Sequence, residues 1–398
     1  MDFIVTLASK IEIVVQHIER LATRFHRTYL VLLGIFALFG YSFVLLFPAL
    51  ALVSINSLYS VLVANGDIDW QLIFVWLLTL LISVQLSYRM FVTRPVPAVG
   101  FTMPESKIPK VYEVIQKVQS HFKRPVIHRV IISANYELDI VKTPRWMLPV
   151  WSGNTLVIGL PLMICLSPEQ FEHMLARRIG QYSKKHNMMT NWLYQLNGIW
   201  QQYSYIYGKQ KSVESVILKL FYTMYSALYK KFSVYAARSD EFNADAYAME
   251  MYSHDVICEM ITADAFSRWY LEKRFWPAIE KANLENSDVM TQPYRKLNTV
   301  IKNNLKTITP EILNKLARDE IIERKNRCPS LQQRLERIGH VKPRMDRGAG
   351  ESAADYYLGY SLNGALNLMD KLWYKKYKKK LNKKKIFKKS WMPAFKGG

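Results

Sequence analysis

The sequence has few of the residues that build disulfide frameworks or nucleotide-binding loops. Its 398 residues include three cysteines, Cys165, Cys258 and Cys328, which lie far apart and form no CxxC pair. This pattern argues against a disulfide framework or a Cys/His zinc ribbon, and it fits a reducing compartment. The sequence also has no glycine-rich phosphate loop, no internal repeat and no Gly-x-Ser-x-Gly setting for a nucleophile.

Charged residues are missing from a long N-terminal stretch, residues 29–66, and a second apolar run covers 70–88. A helix needs ~20 apolar residues to cross the hydrocarbon core of a bilayer. We therefore predict a transmembrane hairpin over residues 29–92. The alternatives are two buried core helices or, for the first run, a cleaved signal peptide, although that run exceeds the ~7–15 residues of a signal core.

The charges that flank the two apolar runs predict their direction. Basic residues precede the first run and follow the second, whereas the connection between them carries Asp67 and Asp69 and no Lys or Arg. The positive-inside rule predicts a multi-pass protein of the inner (cytoplasmic) membrane, with the N-terminus and the main domain in the cytosol. Residues 1–28 have apolar positions at helical spacing, so this amphipathic segment lies on the membrane or packs on the cytosolic domain.

The rest of the chain predicts an α+β fold that is mostly helical and contains a small sheet. A helix is expected over residues 104–123, strands over 126–133 and 155–158, and a hairpin or loop between these strands. We assign residues 101–345 to one domain. A C-terminal helix at 346–370 follows it.

A helix is predicted to begin after Ser167, because a Ser cap, a proline and an acidic residue follow one another in Ser167-Pro168-Glu169. An apolar stripe faces the core, formed by Phe171, Leu175, Ile179 and Tyr182. Arg177, Arg178 and Gln181 lie elsewhere on the helix, within one arc of roughly 100°.

Three short motifs occur in order along the main domain. The helix carries Leu175-Ala176 followed by Arg177-Arg178-Ile179-Gly180-Gln181, a later stretch reads Glu241-Phe242-Asn243-Ala244-Asp245, and a third reads Arg327-Cys328-Pro329-Ser330-Leu331-Gln332-Gln333-Arg334. With the paired apolar runs, residues 29–340 resemble the HtpX-like and CAAX-endopeptidase-like membrane zinc metallopeptidases, which are gluzincins. In that family the motifs are His-Glu-x-Gly-His, Glu-[Phe/Tyr]-x-Ala-Asp and Thr-His-Pro-Ser-Leu-x-x-Arg.

The resemblance implies a zincin-like metallopeptidase domain in which positions 177, 181 and 241 carry the zinc ligands. Position 178 would carry the general base, and Asp245 would support the zinc ligands without binding the metal itself. Zinc lowers the pKa of bound water from 15.7 to about 7, which makes the nucleophile. Arginine has no lone pair to give a metal, and a glutamine amide is a weak zinc ligand, so only Glu241 remains of the ligand set.

The sequence therefore predicts a degenerate site with no cofactor, whereas active relatives bind zinc. We expect a structural ion pair formed by Arg177, Arg178, Glu241 and Asp245, in which arginine balances the charge that zinc would balance. The alternatives are arginines that point to solvent, or a relocated zinc site that uses His173 or His186.

The C-terminal residues 371–398 form a basic tail with twelve lysines and no acidic residue between Lys371 and Lys396. These lysines supply more than half of the net charge of +22. Binding to anionic lipid headgroups is the favoured role, with nucleic acid, judged unlikely, or a solvated disordered tail as alternatives. The membrane-surface candidates are Lys375, Lys376, Lys378, Lys379, Lys380, Lys383, Lys384 and Lys385.

The function that this pattern indicates is a membrane-anchored pseudo-metallopeptidase. It would act as a scaffold, regulator or client-binding protein in membrane-protein quality control, with a membrane protein or a protease as partner. Its groove would hold an extended segment by strand addition at residues 155–158. The alternatives are an active membrane metalloendopeptidase with an unconventional site, and a membrane tether that binds anionic lipid or nucleic acid through the tail.

Overall fold

A computed structural model describes most of the chain. The described residues are 18, 20–22, 24–63, 69–93, 100–123, 126–145, 148–183, 188–210, 212–285, 292–304, 309–319, 329–340, 342–345 and 350–391. Most of the amphipathic segment 1–28, together with His186 and Cys328, therefore lies outside the described residues.

Helices dominate the fold. The N-terminal part contains α1 (His26–Val63) and α2 (Trp70–Val92). The main domain begins with β1 (Gly100–Thr102), a 3-10 turn (Glu105–Lys107), α3 (Pro109–Phe122), β2 (Arg129–Ser133), β3 (Leu138–Arg145) and β4 (Leu148–Gly159). Next come α4 (Leu160–Cys165), α5 (Pro168–Gln181), α6 (Met188–Lys209), α7 (Val213–Phe232) and α8 (Val234–Ala248). The order ends with α9 (His254–Tyr270), a π-helical segment (Leu271–Phe275), α10 (Trp276–Glu285), α11 (Pro293–Asn304), α12 (Pro310–Asp319), α13 (Leu331–Arg337), α14 (Ala353–Leu358) and α15 (Ser361–Trp391).

The two predicted apolar runs are both helices. By length and composition, α1 with 38 residues and α2 with 23 residues are each able to cross a membrane. Asp69 caps the start of α2, because its carboxylate accepts hydrogen bonds from the backbone N–H groups of Gln71 and Leu72. The helices pack against each other and leave many large apolar side chains on their outer surfaces.

The small sheet is mixed, with strand order β1-β2-β4-β3. β2 pairs in parallel with β4, and β3 folds back on β4 as an antiparallel hairpin. The segment between the two predicted strands is therefore a long hairpin. The prediction of strand addition at residues 155–158 is wrong. One edge of β4 is already hydrogen-bonded to β2 and the other edge to β3. The outer strands of the sheet are β1 and β3.

The main hydrophobic core lies between one face of the sheet and the helices around it. Alternate strand residues point into it, including Val130, Ile132, Leu156 and Ile158. α3 begins later than predicted, at Pro109, because a separate 3-10 turn precedes it. This core holds one side of α5 in place.

A second hydrophobic core joins the N-terminal helices to α6, α7 and the start of α8, and it is rich in aromatic rings. Tyr29 of α1 is buried in this second core. The Tyr29 hydroxyl donates a hydrogen bond to the carbonyl of Phe232 at 2.8 Å and accepts one from the N–H of Ala236 at 3.2 Å. The first apolar helix is thereby tied to the junction of α7 and α8.

The first turns of the C-terminal helix α15 pack on the main domain. Leu362, Ala365, Leu366 and Met369 are buried, and the next residue, Asp370, accepts a hydrogen bond from the N–H of Tyr294 at the start of α11. The helix then runs without a break past residue 370 through the lysine-rich segment to Trp391. Lysine and leucine are good helix formers, so this continuation agrees with local propensity.

Candidate functional site

Helix α5 carries the first of the three motifs, and its start is as predicted. The Ser167 hydroxyl accepts a hydrogen bond from the N–H of Gln170, whose side chain accepts one in return from the N–H of Ser167. Pro168 occupies the first helical position. The apolar stripe of α5 lies in the main core, which fixes the rotation of the helix.

Helix α8 crosses α5 at close range. A Cβ atom added at Gly180 would lie 2.6 Å from the Cβ of Tyr247, so the two helices meet at a distance that only glycine allows at this position. Positions 177 and 181 on α5 consequently face positions 241 and 245 on α8. The first two motifs are brought together by this crossing.

Arg177 lies in the contact between the two helices and is 3% exposed. Its Nη2 donates to the Glu241 carboxylate, and its Nε donates to Oδ1 of Asp245 at 2.6 Å. One guanidinium thus serves two carboxylates on successive turns of α8.

Arg334, on α13, completes this group. Its Nε and Nη2 donate to the two carboxylate oxygens of Asp245 at 2.9 and 2.8 Å, which is a bidentate pairing. The third motif therefore meets the other two at Asp245. We call Arg177, Glu241, Asp245 and Arg334 the buried ion-pair cluster.

The charges in this cluster stabilise one another. Burial acts to raise the pKa of Glu241, but the guanidinium groups of Arg177 and Arg178 outweigh it and lower this pKa from 4.5 to about 2. Burial also acts to raise the pKa of Asp245, yet Arg334 and Arg177 hold it below its ordinary value. Both carboxylates are ionised at neutral pH, as buried carboxylates are when arginines pair with them.

The neighbouring side chains of α5 extend the network outward. Arg178 donates to the Gln181 amide oxygen at 2.6 Å, and its guanidinium lies 3.7 Å from Glu241. Gln181 in turn donates to Asp240 at 2.5 Å. Arg178 is also within 4.0 Å of Asp139 on β3, so the network reaches from the core to the outer strand of the sheet.

Arg334 also connects the cluster to a carboxylate on a further helix. Its Nη1 is 3.7 Å from Asp264 on α9. Asp264 also accepts from the Tyr136 hydroxyl at 3.1 Å and from Arg268 at 3.3 Å. The arrangement alternates charges of opposite sign across four helices.

Comparison with known protein families, with curated proteins and with solved structures finds no match.

The residues at the three ligand positions implied by the resemblance do not suit zinc. A guanidinium donates hydrogen bonds and has no lone pair for a metal, and the Glu241 carboxylate already binds Arg177. The side-chain NH₂ of Gln181 bonds Asp240, and its amide oxygen accepts from Arg178. Within the described part of the chain, no group of three or more His, Cys, Asp or Glu side chains is placed to hold a metal ion.

His173, considered above for a relocated zinc site, lies one turn before Arg177. Its ring packs against Tyr252 with ring centroids 4.2 Å apart, and burial lowers its pKa to about 4. His173 therefore packs against Tyr252, and within the described residues no group of three or more possible metal ligands includes it.

The four residues expected to form an ion pair do lie together, but the sequence did not reveal all their partners. The sequence places Arg334 in the third motif but predicts no role for it. It predicts no role for Asp240 or Asp264 either. A signal was present for Asp240, since it directly precedes Glu241 on the same helix. None was present for Asp264, which reaches the cluster only through tertiary packing.

Proposed function

We propose that this protein is a membrane-anchored pseudo-metallopeptidase, a non-catalytic scaffold, regulator or client-binding protein in membrane-protein quality control. Another membrane protein or an active protease would be its partner. The contact that carries the proposal is the one between the Arg177 guanidinium and the Glu241 carboxylate. In the family that the motifs resemble, these two positions hold zinc ligands.

The chemistry of the site supports this proposal. A metallopeptidase needs an acidic metal ion to activate water and a carboxylate to take its proton. Here the position of that carboxylate is Arg178, a permanent cation that cannot accept a proton at neutral pH. The cluster instead offers what a structural cross-link needs, namely paired charges with satisfied hydrogen bonds between α5, α8 and α13.

The proposed location is the inner membrane. Exposed apolar side chains along α1 and α2 would face lipid, and the basic residues at the two outer ends would lie in the cytosol. The main domain, the site and the C-terminal helix would then all be cytosolic. This placement agrees with two buried, unpaired cysteines among the described residues, Cys165 and Cys258.

Restoring the family ligands tests the proposal. The triple variant Arg177→His, Arg178→Glu, Gln181→His should bind zinc, because it recreates two imidazoles at positions i and i+4 opposite Glu241. Without zinc it should be less stable than the natural protein, since it loses the arginine that pairs Glu241. Zinc content and urea unfolding of the full-length protein in detergent measure both effects.

The matched control is the same triple variant with Glu241→Gln, which removes the third ligand and should bind zinc more weakly. A triple variant as stable without zinc as the natural protein would contradict the structural role of the arginine. If the natural protein cleaved peptides and the Glu241→Gln variant did not, the proposal as a whole would be contradicted.

The lysine-rich half of α15 supports a second role, binding of anionic lipid headgroups. Lys371, Lys375, Lys376 and Lys378 are exposed on this helix, whereas Trp373 between them packs against the main core. Trp373 and Tyr377 stack beside them with centroids 5.0 Å apart. Each lysine near an acidic membrane surface contributes ~1 kcal/mol to binding, so these lysines together would bind such a membrane strongly at low salt.

Hydrogen exchange of the full-length protein in nanodiscs tests this role. The segment 371–391 should be protected when the lipid is anionic, unprotected when it is zwitterionic, and released by molar salt. A variant with Lys→Gln at the eight positions from Lys375 to Lys385 is the control. Equal protection in both lipids would contradict lipid binding, and a shift of RNA mobility by the protein in zwitterionic nanodiscs would favour nucleic acid instead.

A further inference from the structure

Helices α6 and α7 form a hairpin that packs on the first part of α1. The rings of Phe43 and Phe221 stack with centroids 3.6 Å apart, and the Tyr225 hydroxyl donates to the carbonyl of Phe36 at 2.6 Å. A Cβ atom on Gly40 would lie 2.6 Å from the Tyr225 ring, so close approach requires glycine here. With Tyr29 bonded to Phe232, these contacts show that α7 runs antiparallel to α1.

The tip of this hairpin reaches the level of the apolar helix α2. The second hydrophobic core contains Val44 and Phe47 of α1, Leu86 and Met90 of α2, and Tyr207 near the end of α6. Phe221, beside Phe43, is therefore level with the last turns of α2, and the residues before it lie further along the apolar pair. Exposed side chains of α2 at this level include Tyr88 and Val92.

The outer face of α7 is apolar on both sides of Phe221. Val216, Ile217, Leu220 and Met224 are 60%, 49%, 62% and 59% exposed. At 100° per residue they share one arc of about 100°, opposite the face that packs on α1 through Tyr222, Tyr225 and Tyr229. We call these four residues the α7 stripe.

We infer that the α7 stripe is buried in the lipid bilayer, in the leaflet next to the main domain, so that the α6–α7 hairpin is a third membrane contact. This inference rests on the proposed membrane anchoring by α1 and α2. The stripe continues the apolar outer surface of those helices, beside the last turns of α2 before Phe221 and beside the exposed apolar part of α1 after it. Lipid that covers one surface therefore covers the other.

The charges of the hairpin set its depth. Helices α6 and α7 are less apolar than α1 and α2, and Lys209 and Lys219 lie close to the tip. Lysine side chains keep their ammonium groups at the headgroups while their stems lie in apolar surroundings. The hairpin therefore enters the interface and does not cross the bilayer, as interfacial helices do.

Spin labels measure this depth in the full-length protein. Cysteine is placed singly at Leu220 in the stripe, at Leu78 in the middle of α2, and at Glu113 on the exposed face of α3, with the natural cysteines replaced by alanine. The protein is reconstituted in phosphatidylcholine–phosphatidylglycerol vesicles. Collision rates with oxygen, which dissolves in lipid, and with a water-soluble nickel chelate are compared at each site.

We expect the label at Leu220 to favour oxygen several-fold more than the label at Glu113, and to lie shallower than the label at Leu78. A label at Leu220 that meets the nickel chelate as readily as Glu113 does, while Leu78 favours oxygen, overturns the inference and leaves the anchoring intact. Protection of Leu220 from both reagents also overturns it, because protein would then cover the stripe. A water-exposed label at Leu78 overturns the anchoring itself.

Discussion

A buried arginine, Arg177, lies at the contact between α5 and α8. Its guanidinium contacts Glu241 and Asp245. Isolated charges in a protein interior are costly, and they persist there because they are paired and hydrogen-bonded. Two carboxylates and two arginines share the cost in this cluster.

Removal of the Glu241 carboxylate should destabilise the protein strongly. Glu241→Ala leaves Arg177 with one of its two acidic partners and opens a space in the contact between α5 and α8. Breaking one side of a buried pair costs about 3–5 kcal/mol. The free energy of unfolding in urea, measured in detergent micelles, gives this loss.

The matched control for this variant is Glu113→Ala, an exposed glutamate on α3. Surface substitutions of this kind change stability by less than about 0.5 kcal/mol. If Glu241→Ala were as mild as Glu113→Ala, Arg177 would have no need of this carboxylate, and the ion-pair account would fail.

The cluster also predicts how stability depends on pH. The pKa of Glu241 is about 2 in the folded protein against 4.5 as its ordinary value. Because the folded-state pKa is the lower one, the stabilising contribution is complete above pH 4.5 and is lost as pH falls toward 2. At ~1.36 kcal/mol per pKa unit, the loss approaches about 3 kcal/mol.

Urea unfolding of the natural protein and of Glu241→Gln between pH 6 and pH 2.5 isolates this contribution. The natural protein should lose more stability over that interval than the variant, whose residue 241 does not titrate. Parallel curves for the two proteins would show that the Glu241 carboxylate has the same pKa in the folded and unfolded states.

Among the helices, α8 is capped at its start by a residue that is distant in sequence. Ser233 stands in the capping position but makes no capping bond through its side chain. The Tyr29 hydroxyl of α1 accepts from the N–H of Ala236 instead, and it also binds the carbonyl of Phe232. One tyrosine therefore holds α7, α8 and the first apolar helix together.

Tyr29→Phe should lower the free energy of unfolding by about 1–3 kcal/mol, because the buried N–H of Ala236 loses its partner. Tyr59→Phe removes a hydroxyl from an exposed ring on the same helix and serves as the control. Thermal unfolding of both variants in detergent tests the difference. Identical transition temperatures would show that the Tyr29 hydroxyl contributes nothing to stability.

The sequence predicts elements well where the signal is local. Ser167, Pro168 and Gln170 act within one turn, so the start of α5 is visible in the chain itself. The two apolar runs are likewise evident from composition. The sequence does not decide between a hairpin and a loop at β3–β4, because the strand pairing depends on contacts between distant residues such as Leu138 and Ile158.

The candidate site was only partly accessible to sequence reasoning, for the same reason. The prediction that Arg177, Arg178, Glu241 and Asp245 share one site comes from the resemblance of the three motifs to a zinc metallopeptidase family. Arg334 lies 89 positions beyond Asp245, and no local pattern reports that it pairs with that carboxylate. Side chains that close a network from a third helix become visible only in the packed structure.

Over the molecule as a whole, helix α8 joins the two hydrophobic cores, because Ala236 belongs to the second core and Ala248 to the main core, with Glu241 and Asp245 between them in sequence. The main core holds α5, and the aromatic core around α1 holds the start of α8 through the Tyr29 bond. α6 and α7 connect the end of α5 to the start of α8 in sequence and pack on α1. Because α1 binds the start of α8, a bilayer around α1 would also hold α8 in place at its contact with α5, where the ion-pair cluster lies.

We propose that Arg177 occupies the place that zinc has in the family that the motifs resemble. The most direct test is elemental analysis of the full-length protein, purified without chelators or an affinity tag and dialysed against buffer that contains micromolar zinc. The account predicts zinc at the background level of the dialysis buffer. About one zinc per chain that disappears in Glu241→Gln would place a metal at the cluster and contradict it.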